Sequence, residues 1–401
     1  MKLVYRLVFI FAFVLFLILV IAYARGYRLD MKKKSFSSTG ILAISSNPKA
    51  AKVFINHELK GVTDENVGLP PGEYTVEIKK DGYTSWTKKV MLKGELVISL
   101  DALLFPLNPS LSPLTNLGVI KAVPLDQTDK ILLFTDNNDE TKDGIYLFDA
   151  GRKPLSLLAP LKLIILKKNL PQSFNLASAT NYFSPDFKQL IIEFPLGRAE
   201  TLAYLLSLEE ENKNVFDITN SKETLLEAWG KEKEADQLKI LEAFPKEVAK
   251  IASDSFHMIA FSPNETKLFY EVKKTVTLPL GIKPPLIATN QTKEVRNLQK
   301  DHLYIYDAKE DKNYEVDKGI FNSKLTTLES ILWYPDSKHL VFSDNKKITV
   351  IDYDGNNKQT IYSGPFDESF FTVTGDGSFI TLSNLNPDTN KFPDLYAVGI
   401  K

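Results

Sequence analysis

Apolar and polar residues alternate with a period of two over most of this chain, and one long apolar run precedes that alternation. Leu7 to Tyr23 is a run of 17 uncharged, mostly bulky residues. At about 1.5 Å per residue, a helix of this run is about 26 Å long, just enough to cross the hydrocarbon core of a membrane. The pattern predicts a membrane anchor and juxtamembrane segment over residues 1–34.

The same run leaves two alternatives open. Ala22-Tyr23-Ala24 has the small-x-small form of a signal-peptide cleavage site, although the length of the run favours an uncleaved anchor. Lys2 and Arg6 precede the span, whereas five basic residues follow it between Arg25 and Lys34. Counting charges keeps the C-terminal side in the cytoplasm, or places the basic cluster on anionic lipids. The N-terminal position of the span and the lack of cysteine favour export.

Strict alternation between Thr39 and Leu104 predicts strands with one buried side. Ala51, Val53 and Ile55 share one face, and the following strand alternates over Tyr74 to Ile78. Pro71-Gly72 is typical of a type II turn with a positive φ at glycine, and Asp81-Gly82 of a type I′ hairpin turn. We therefore predict a compact antiparallel β-sandwich over residues 39–105.

This segment resembles the PEGA domain, a small β module of microbial surface proteins. The family pattern is matched at Pro48, Ala51, Gly61, Pro71, Gly72, Tyr74, Gly82, Tyr83 and Trp86. The name-giving tetrapeptide reads Pro48-Lys49-Ala50-Ala51, and Asn56-His57 replaces the usual Asp/Asn-Gly turn. A left-handed His57 costs about 1 kcal/mol. The resemblance implies an extracellular module that binds no carbohydrate, has no catalytic activity and is often placed beside a membrane anchor.

A second unit recurs downstream: an apolar residue, a Pro-Asp or Gly-Asp turn and an alternating strand, followed by another strand. Its copies are YFSPDFKQLIIEF from Tyr182, AFSPNETKLFYEV from Ala260, LWYPDSKHLVFSD from Leu332, FTVTGDGSFITLS from Phe371 and the weaker AVPLDQTDKILLF from Ala122. Strand-turn-strand units of about 40 residues are typical of propeller blades.

These repeats resemble the WD40-like blades of TolB and of peptidase propellers. The resemblance implies an all-β chain whose residues 106–401 form a propeller of five blades. A sixth, degenerate blade between Leu155 and Ala177 is the alternative, because LKLIILKKNL is an apolar strand without an assigned place.

One segment, residues 220–252, is predicted to be a helical insertion. It is rich in Glu, Lys, Ala and Leu. Asn220 and Glu223 have the spacing of a capping box, and Pro245 suits the first turn of a further helix. Leu225, Leu226 and Trp229 share a face. We expect this face to cover the edge of a blade; the alternative is a surface for docking a partner.

Composition and motifs exclude most chemistry. A net charge of −1 and a pI of about 6.5 argue against a nucleic-acid partner, and the absence of cysteine excludes thiolate chemistry. His57, His257, His302 and His339 lie in separate units, without the spacing of metal ligands. No serine-hydrolase elbow and no nucleotide-binding glycine loop occurs.

Two further features have ordinary explanations. The acidic loop Thr135–Gly144 alternates like a calcium loop, but Thr141 stands where an EF-hand needs glycine, so a solvated hairpin is expected. Phe183, Phe261 and Trp333 stand at repeat positions beside the turns, where we expect packing between blades.

The expected function is therefore display, scaffolding or binding in the cell envelope, with the β domains outside a membrane that the N-terminal helix spans once. The expected partner is a protein or an envelope polymer; no cofactor, metal or catalytic residue is predicted, and no binding residue is named. We expect no catalytic domain after the last predicted strand, which ends near Lys401. The alternatives are an envelope hydrolase or a TolB-like transport accessory that uses the propeller mouth, and a scaffold facing the cytoplasm.

Overall fold

The protein is described by a computed structural model over residues 2–24, 27–30, 35–126, 128–151, 160–197, 200–316, 319, 330–388 and 390–399. Its residues divide into two compact units. The first comprises residues 1–107 with 284–293, and the second comprises 108–283 with 294–401.

The chain begins with a long exposed helix, α1 (Lys2–Ala24). Within it, Val4–Ile21 has a mean hydropathy of 2.9 and none of this window is buried against the rest of the protein. Its length and composition allow α1 to cross a membrane. The basic residues predicted to follow the span at 31–34 lie outside the described residues.

The described part of the first unit contains nine strands. They are β1 (Tyr27–Asp30), β2 (Ser35–Ser38), β3 (Gly40–Asn47), β4 (Lys52–Ile55), β5 (Glu58–Val62), β6 (Glu65–Leu69), β7 (Gly72–Lys79), β8 (Trp86–Leu92) and β9 (Val97–Leu103). The first two form a hairpin; the others form sheets of order β6-β3-β9 and β5-β4-β7-β8. β3 and β9 pair in parallel, which differs from the predicted antiparallel sandwich. Parallel pairing needs a long connection, and the rest of the sandwich supplies it between these two strands.

A single apolar core fills this sandwich and follows the predicted alternation. Ala51, Val53 and Ile55 are 2% exposed or less, and Trp86 on β8 closes the core. Lys52 points outward, where it pairs with an exposed aspartate.

The turns of the sandwich only partly match the prediction. Gly72 opens β7 without a positive φ, so the predicted type II turn at Pro71-Gly72 is wrong. The type I′ turn predicted at Asp81-Gly82 is also wrong, because only Gly82 is left-handed (φ 83°) in a six-residue connection. The two-residue turn with both φ positive lies instead at Asn56-His57 (50° and 67°), between β4 and β5.

These angles predict opposite responses at two glycines. Gly82→Ala should lower the free energy of unfolding by about 1 kcal/mol, because a Cβ is strained at this φ although nothing lies within 4 Å of it. Gly72→Ala should change it by less than about 0.5 kcal/mol, because the added Cβ meets only an ordinary contact at 3.7 Å. Chemical denaturation of the full chain in detergent micelles measures both. Equal losses would contradict the assigned turn.

Twenty-two strands lie in the second unit, among the residues that the structure describes. They are β10 (Ser110–Pro113), β11 (Val119–Pro124), β12 (Lys130–Thr135), β13 (Gly144–Asp149), β14 (Leu161–Leu166), β15 (Thr180–Phe183), β16 (Gln189–Leu196), β17 (Glu200–Ser207), β18 (Phe216–Asp217), β19 (Phe256–Phe261), β20 (Lys267–Val272), β21 (Val276–Thr277), β22 (Asn297–Leu298), β23 (Leu303–Asp307), β24 (Lys312–Val316), β25 (Leu332–Trp333), β26 (His339–Ser343), β27 (Ile348–Asp352), β28 (Gln359–Tyr362), β29 (Phe371–Val373), β30 (Phe379–Ser383) and β31 (Asp394–Gly399). Two short 3₁₀ turns, Lys167–Asn169 and Leu176–Ser178, lie between β14 and β15.

Within the described part of the second unit, these strands form five four-stranded antiparallel sheets and one small hairpin, β21-β22. We number the blades along the chain: β11-β12-β13-β14, β15-β16-β17-β18, β19-β20-β23-β24, β25-β26-β27-β28 and β29-β30-β31-β10. The apolar stretch considered for a sixth blade contains β14, the outer strand of the first blade. Residues 155–159 of that stretch lie outside the described residues.

The fifth blade takes its outer strand from the start of the unit. β10 pairs with β31 from Ser110↔Gly399 to Pro113↔Tyr396, so strands from the two ends of the unit complete one sheet. The blades then pack side by side through buried clusters that join the fifth to the first, the first to the second and the third to the fourth. The pattern is that of a propeller closed by its own termini.

The predicted helical insertion is confirmed as α2 (Lys222–Leu241) and α3 (Lys246–Ser255), between the second and third blades. α2 packs Trp229 on Ile191 and Ala203 of the second blade, with Leu225 and Leu226 beside it. α3 packs Val248 and Ala252 against the third blade. The insertion therefore acts as a cover, the first of the two interpretations, but it covers blade faces and not the edge that was expected.

The predicted capping box is wrong. α2 begins one residue later than expected, so Ser221 occupies the N-cap, and its side chain makes no capping bond. Glu223 consequently falls at the second position of the helix, where it pairs with Lys222 at 3.0 Å. Lys222 also pairs with Glu193 of the second blade at 2.7 Å, which fixes the start of the helix on that blade. Pro245 lies just before α3 and not in its first turn.

The role of Trp229 as a cover yields a stability prediction. Trp229→Ala should lower the free energy of unfolding by about 3 kcal/mol, because it opens a cavity between α2 and the second blade. Glu234→Ala, on the exposed second half of the same helix, is the matched control and should be neutral. Calorimetry of the full chain in micelles measures both. A stable Trp229 variant would show that α2 is not a cover.

Candidate partner-binding cleft

The second, third and fifth blades connect their first two strands by a turn of one design, in which a serine or threonine hydroxyl bridges the turn. In the second blade, the Ser184 hydroxyl donates to Asp186 (2.7 Å) and accepts from the backbone N–H of Gln189 (2.9 Å). In the third blade, Ser262, Asn264 and Lys267 repeat these contacts. The residue after the Asp or Asn is left-handed in four blades: Phe187, Glu265, Ser337 and Gly377 have φ of 54°, 56°, 60° and 85°. The repeated Pro-Asp or Gly-Asp turn thus becomes a rigid loop that places its next residue at the blade end.

A cation and a carboxylate face each other beside this turn in three blades. The second strand begins with the cation and the third ends with the aspartate: Lys130↔Asp149, Lys267↔Asp307 and His339↔Asp352 are paired in register. In the third blade, the ion pair Lys267–Asp307 is buried at 3.2 Å. The aspartate also accepts from the backbone N–H of Lys309 and so fixes the next turn.

The fourth blade holds His339 between two carboxylates. Nδ1 lies 2.7 Å from Asp336 and Nε2 lies 3.2 Å from Asp352, and only 4% of the residue is exposed. Burial alone lowers the pKa of His339, but the two carboxylates outweigh it and raise the pKa to about 9. Both ring nitrogens of the imidazolium face carboxylates, so this histidine has no free lone pair with which to act as a base.

The raised pKa makes stability depend on pH. Because the pKa of His339 is higher in the folded chain than the ordinary value of 6.5, its contribution is complete below pH 6.5 and is lost as pH rises through 9. The free energy of unfolding should fall by on the order of 3 kcal/mol across this interval. His339→Gln should remove the dependence, and His302→Gln, at a half-exposed histidine, should retain it. Denaturation curves of the full chain at pH 6 and 9.5 measure the difference.

The junction between the third and fourth blades is closed over its cation. The Ser337 hydroxyl of the fourth blade accepts from the backbone N–H of Asn264, joining the two turns at 3.1 Å. The Tyr353 ring, which follows the third strand of the fourth blade, lies 4.8 Å from Lys267 Nζ. A hydroxyl and an aromatic ring thus seal this junction.

The junction between the first and second blades lacks both devices. Phe187 occupies the turn position of Ser337 and has no hydroxyl to accept a bond, while Leu208 occupies the position of Tyr353. The equivalence is visible in the backbone, where Leu208 N–H donates to Lys188 as Tyr353 N–H donates to Lys338.

The result is a cleft of about 300 Å³ between these blades. It is lined by Lys130, Leu147, Asp149, Pro160, Lys162, Asp186, Phe187, Lys188, Leu208 and Glu209. Three lysines and three carboxylates surround a strip of apolar side chains. Such a surface combines an apolar centre with charged groups on its rim. This combination suits a polypeptide better than a small charged metabolite.

The four histidines considered at the outset lie in different places. His57 is in the β4–β5 turn, with Nδ1 2.6 Å from Glu77. His257 and His302 each pair with one glutamate of the third blade, at 3.9 and 2.6 Å. Among the described residues, no three histidines, aspartates or glutamates come together as metal ligands.

The acidic loop forms the connection between β12 and β13. Asp143 accepts from the backbone N–H groups of Asn137 and Asp139 at 2.7 and 2.8 Å, and Asp136 pairs with Lys167 at 2.7 Å. These carboxylates therefore stabilise the hairpin itself.

Two of the three repeat aromatics pack between blades, as expected. Phe183 lies at the cluster joining the first two blades, and Trp333 lies in the one joining the third and fourth. Phe261 instead stacks edge-on with Phe244 of the helical insertion, at 6.0 Å.

Sequence comparison identifies the sandwich. Residues 39–108 match the PEGA domain. The match covers most of the first unit and confirms the resemblance seen in its turns and strands. No curated protein matches the sequence of the whole chain.

Solved structures that resemble the chain include propeller proteins. TolB from Acinetobacter baumannii is 14% identical, with 81% of this chain and 60% of that chain covered and a TM-score of 0.22. A TolB-like protein from Agrobacterium tumefaciens is 12% identical, with coverages of 64% and 66% and a TM-score of 0.21. Dipeptidyl peptidase 4 from Porphyromonas gingivalis is 14% identical, with coverages of 68% and 37% and a TM-score of 0.20. The chain spans less than two thirds of the length of the two TolB structures.

The cleft residues were not predicted from the sequence. One signal was present: the second strands begin with Lys130, Lys267 and His339, and the third strands end with Asp149, Asp307 and Asp352. Aligning the repeats on these pairs would have shown Phe187 and Leu208 in the positions of a serine and a tyrosine.

Proposed function

We propose that this chain is a non-catalytic, membrane-anchored protein of the cell envelope that binds a protein partner through the cleft between its first and second blades. The observation that carries the proposal is the unsealed junction. Serine and tyrosine close the equivalent site of the fourth blade, whereas Phe187 and Leu208 leave Lys130 beside an open cleft.

The lining of the cleft favours a polypeptide over a small ligand. Phe187, Leu208 and Leu147 supply an apolar strip, and Lys188 and Glu209 flank it with opposite charges. Interfaces between proteins combine an apolar centre with a charged rim in this way.

We place both β units outside the cytoplasm. The support is an apolar helix at the N-terminus, a PEGA domain directly after it and the lack of cysteine. The five basic residues after the span favour the opposite orientation, but a large domain behind a signal-like helix is translocated largely regardless of nearby charge. Binding partners of the envelope are therefore the expected class.

Photo-crosslinking tests the cleft. A photoreactive amino acid at position 187, in cells that produce the full chain, should crosslink to a discrete partner. The same amino acid at 337, the equivalent turn position of the sealed junction, is the matched control and should not. Leu208→Tyr should lower the crosslink yield about tenfold or more, because a ring over Lys130 closes the cleft without removing a charge. Lys130→Met, which removes the charge of the cleft without adding bulk, should also lower the crosslink yield. Equal yields at both positions would overturn the proposal.

Protease accessibility tests the side of the membrane. Protease added to intact spheroplasts should remove both β units from the full chain while a cytoplasmic control protein survives, because the units face outward. Protection until the membrane is opened would place the cleft in the cytoplasm and would leave the crosslinking result to identify a cytoplasmic partner.

A further inference from the structure

The outward face of the sheet β6-β3-β9 changes from apolar to polar along its strands. β3 and β9 pair in parallel, so residues opposite each other share a face. The pair Ile41↔Val97 at the start of both strands is apolar, and these residues are 41% and 54% exposed. The pair Ser45↔Asp101, four residues further on, is polar, and its side chains are joined by a hydrogen bond. The exposed bulky apolar side chains of β3 and β9 therefore lie together at the end of the sheet where both strands begin.

The chain that leaves α1 reaches the same end of the sandwich. The hairpin β1-β2 folds it back, because Tyr27 pairs with Ser38. Gly94, in the connection between β8 and β9, lies so close to Ser38 that an added Cβ would clash with its side chain. The N–H of Glu95 donates to the carbonyl of Thr39 at 3.0 Å. The hairpin is thus fixed against the connection that leads into β9.

The length of this path keeps the apolar pair near the end of the helix. Ala24, the last residue of α1, is three residues from Tyr27, and Ser38 is three residues from Ile41. At no more than about 3.6 Å per residue, with about 5 Å across the hairpin, Ile41 lies within about 27 Å of the helix end. The surface of a bilayer that α1 spans is therefore within reach of this end of the sandwich.

The charges at this end compensate each other. Lys93 and Glu95 are both exposed in the connection between β8 and β9. The connection from β6 to β7 is the exposed pair Pro70-Pro71, which lies at the same end because Leu69 is opposite Gly40. The two connections thus carry no net charge beside exposed apolar side chains. Such a surface suits the interfacial region of a bilayer, and its attraction depends on apolar area and not on anionic lipids.

We propose that the end of the sandwich formed by Ile41, Val97 and Pro70-Pro71 rests on the bilayer that α1 spans, with these side chains inserted into the lipid interface. Insertion removes apolar surface from water, which is the driving force of the contact. The proposal rests on the membrane anchor proposed above and adds a second contact to it. With two contacts, the sandwich is held at a fixed height on the membrane and does not swing freely about its anchor.

A site-specific fluorescent label tests the contact, because the sequence has no cysteine and a single introduced cysteine is labelled alone. The full chain is placed in phosphatidylcholine nanodiscs, with a nitrobenzoxadiazole label at Val97→Cys. Asp101→Cys, about 13 Å further along the same face, carries the label in the matched control. Lipids with a doxyl group should quench the label at 97 about threefold more strongly than at 101, and aqueous iodide should quench the label at 101 more strongly. Added phosphatidylserine should change neither result.

A polar variant tests the apolar side chains themselves. With the label at Ile41→Cys, Val97→Ser should lower quenching by the lipid about threefold, because less apolar surface is inserted. Leu59→Ser, at an exposed leucine on β5 of the other sheet, is the matched control and should leave the quenching unchanged. All of these positions are exposed, so the variants should remain folded.

A label at Phe13→Cys, within α1, separates this proposal from the anchor. Quenching by lipid at 13, with equal quenching at 97 and 101, would overturn the contact and keep the anchor. Absence of lipid quenching at 13 would overturn both. Protection of position 97 from iodide without quenching by lipid would show that a protein surface covers this end, and would overturn the proposal. So would quenching that appears only with phosphatidylserine, because the contact would then be electrostatic.

Discussion

Strands with two apolar faces are the constraint on which the second unit depends. The middle strands of its blades are buried almost throughout; five consecutive residues of β16 are buried, as is every residue of β26 and β30. A sheet of this kind needs a cover on both sides, so each blade requires two neighbours. A ring of blades satisfies this requirement for the first, fourth and fifth sheets. Between the second and third, the two helices supply the covers through Trp229 and Val248.

The cleft shows that a repeat fold can acquire a distinct surface through very few side-chain differences. The pairing of a cation with an aspartate recurs in three blades, so two side chains suffice to make the junction of the first and second blades differ from that of the third and fourth. Phe187 and Leu208 make this difference without disturbing the backbone contacts that both positions retain. In the sandwich, the side-chain amide of Gln291 contacts the backbone of Met91 on β8.

Much of this architecture could be predicted from the sequence, since alternation, turn residues and repetition are local signals. The blades, the insertion and the PEGA domain follow from them. Turn angles were less accessible: Pro71-Gly72 and Asp81-Gly82 were assigned by residue type, but the register of β7 and a six-residue connection decided their φ values. The parallel pairing of β3 and β9, and the contact of Gln291 with Met91 across some 200 residues, depend on tertiary packing that no local pattern encodes.

The pairing of β10 with β31 has a consequence for synthesis. Ser110 is made early but meets Gly399 only when roughly 290 further residues have been added, and closing so long a loop is slow and entropically costly. Until then the fifth sheet is incomplete, and the face of the first blade that packs against it is without its cover. Translation therefore yields a chain that is nearly finished yet unable to close. A nascent chain in this condition needs protection from premature aggregation until the last strands are made.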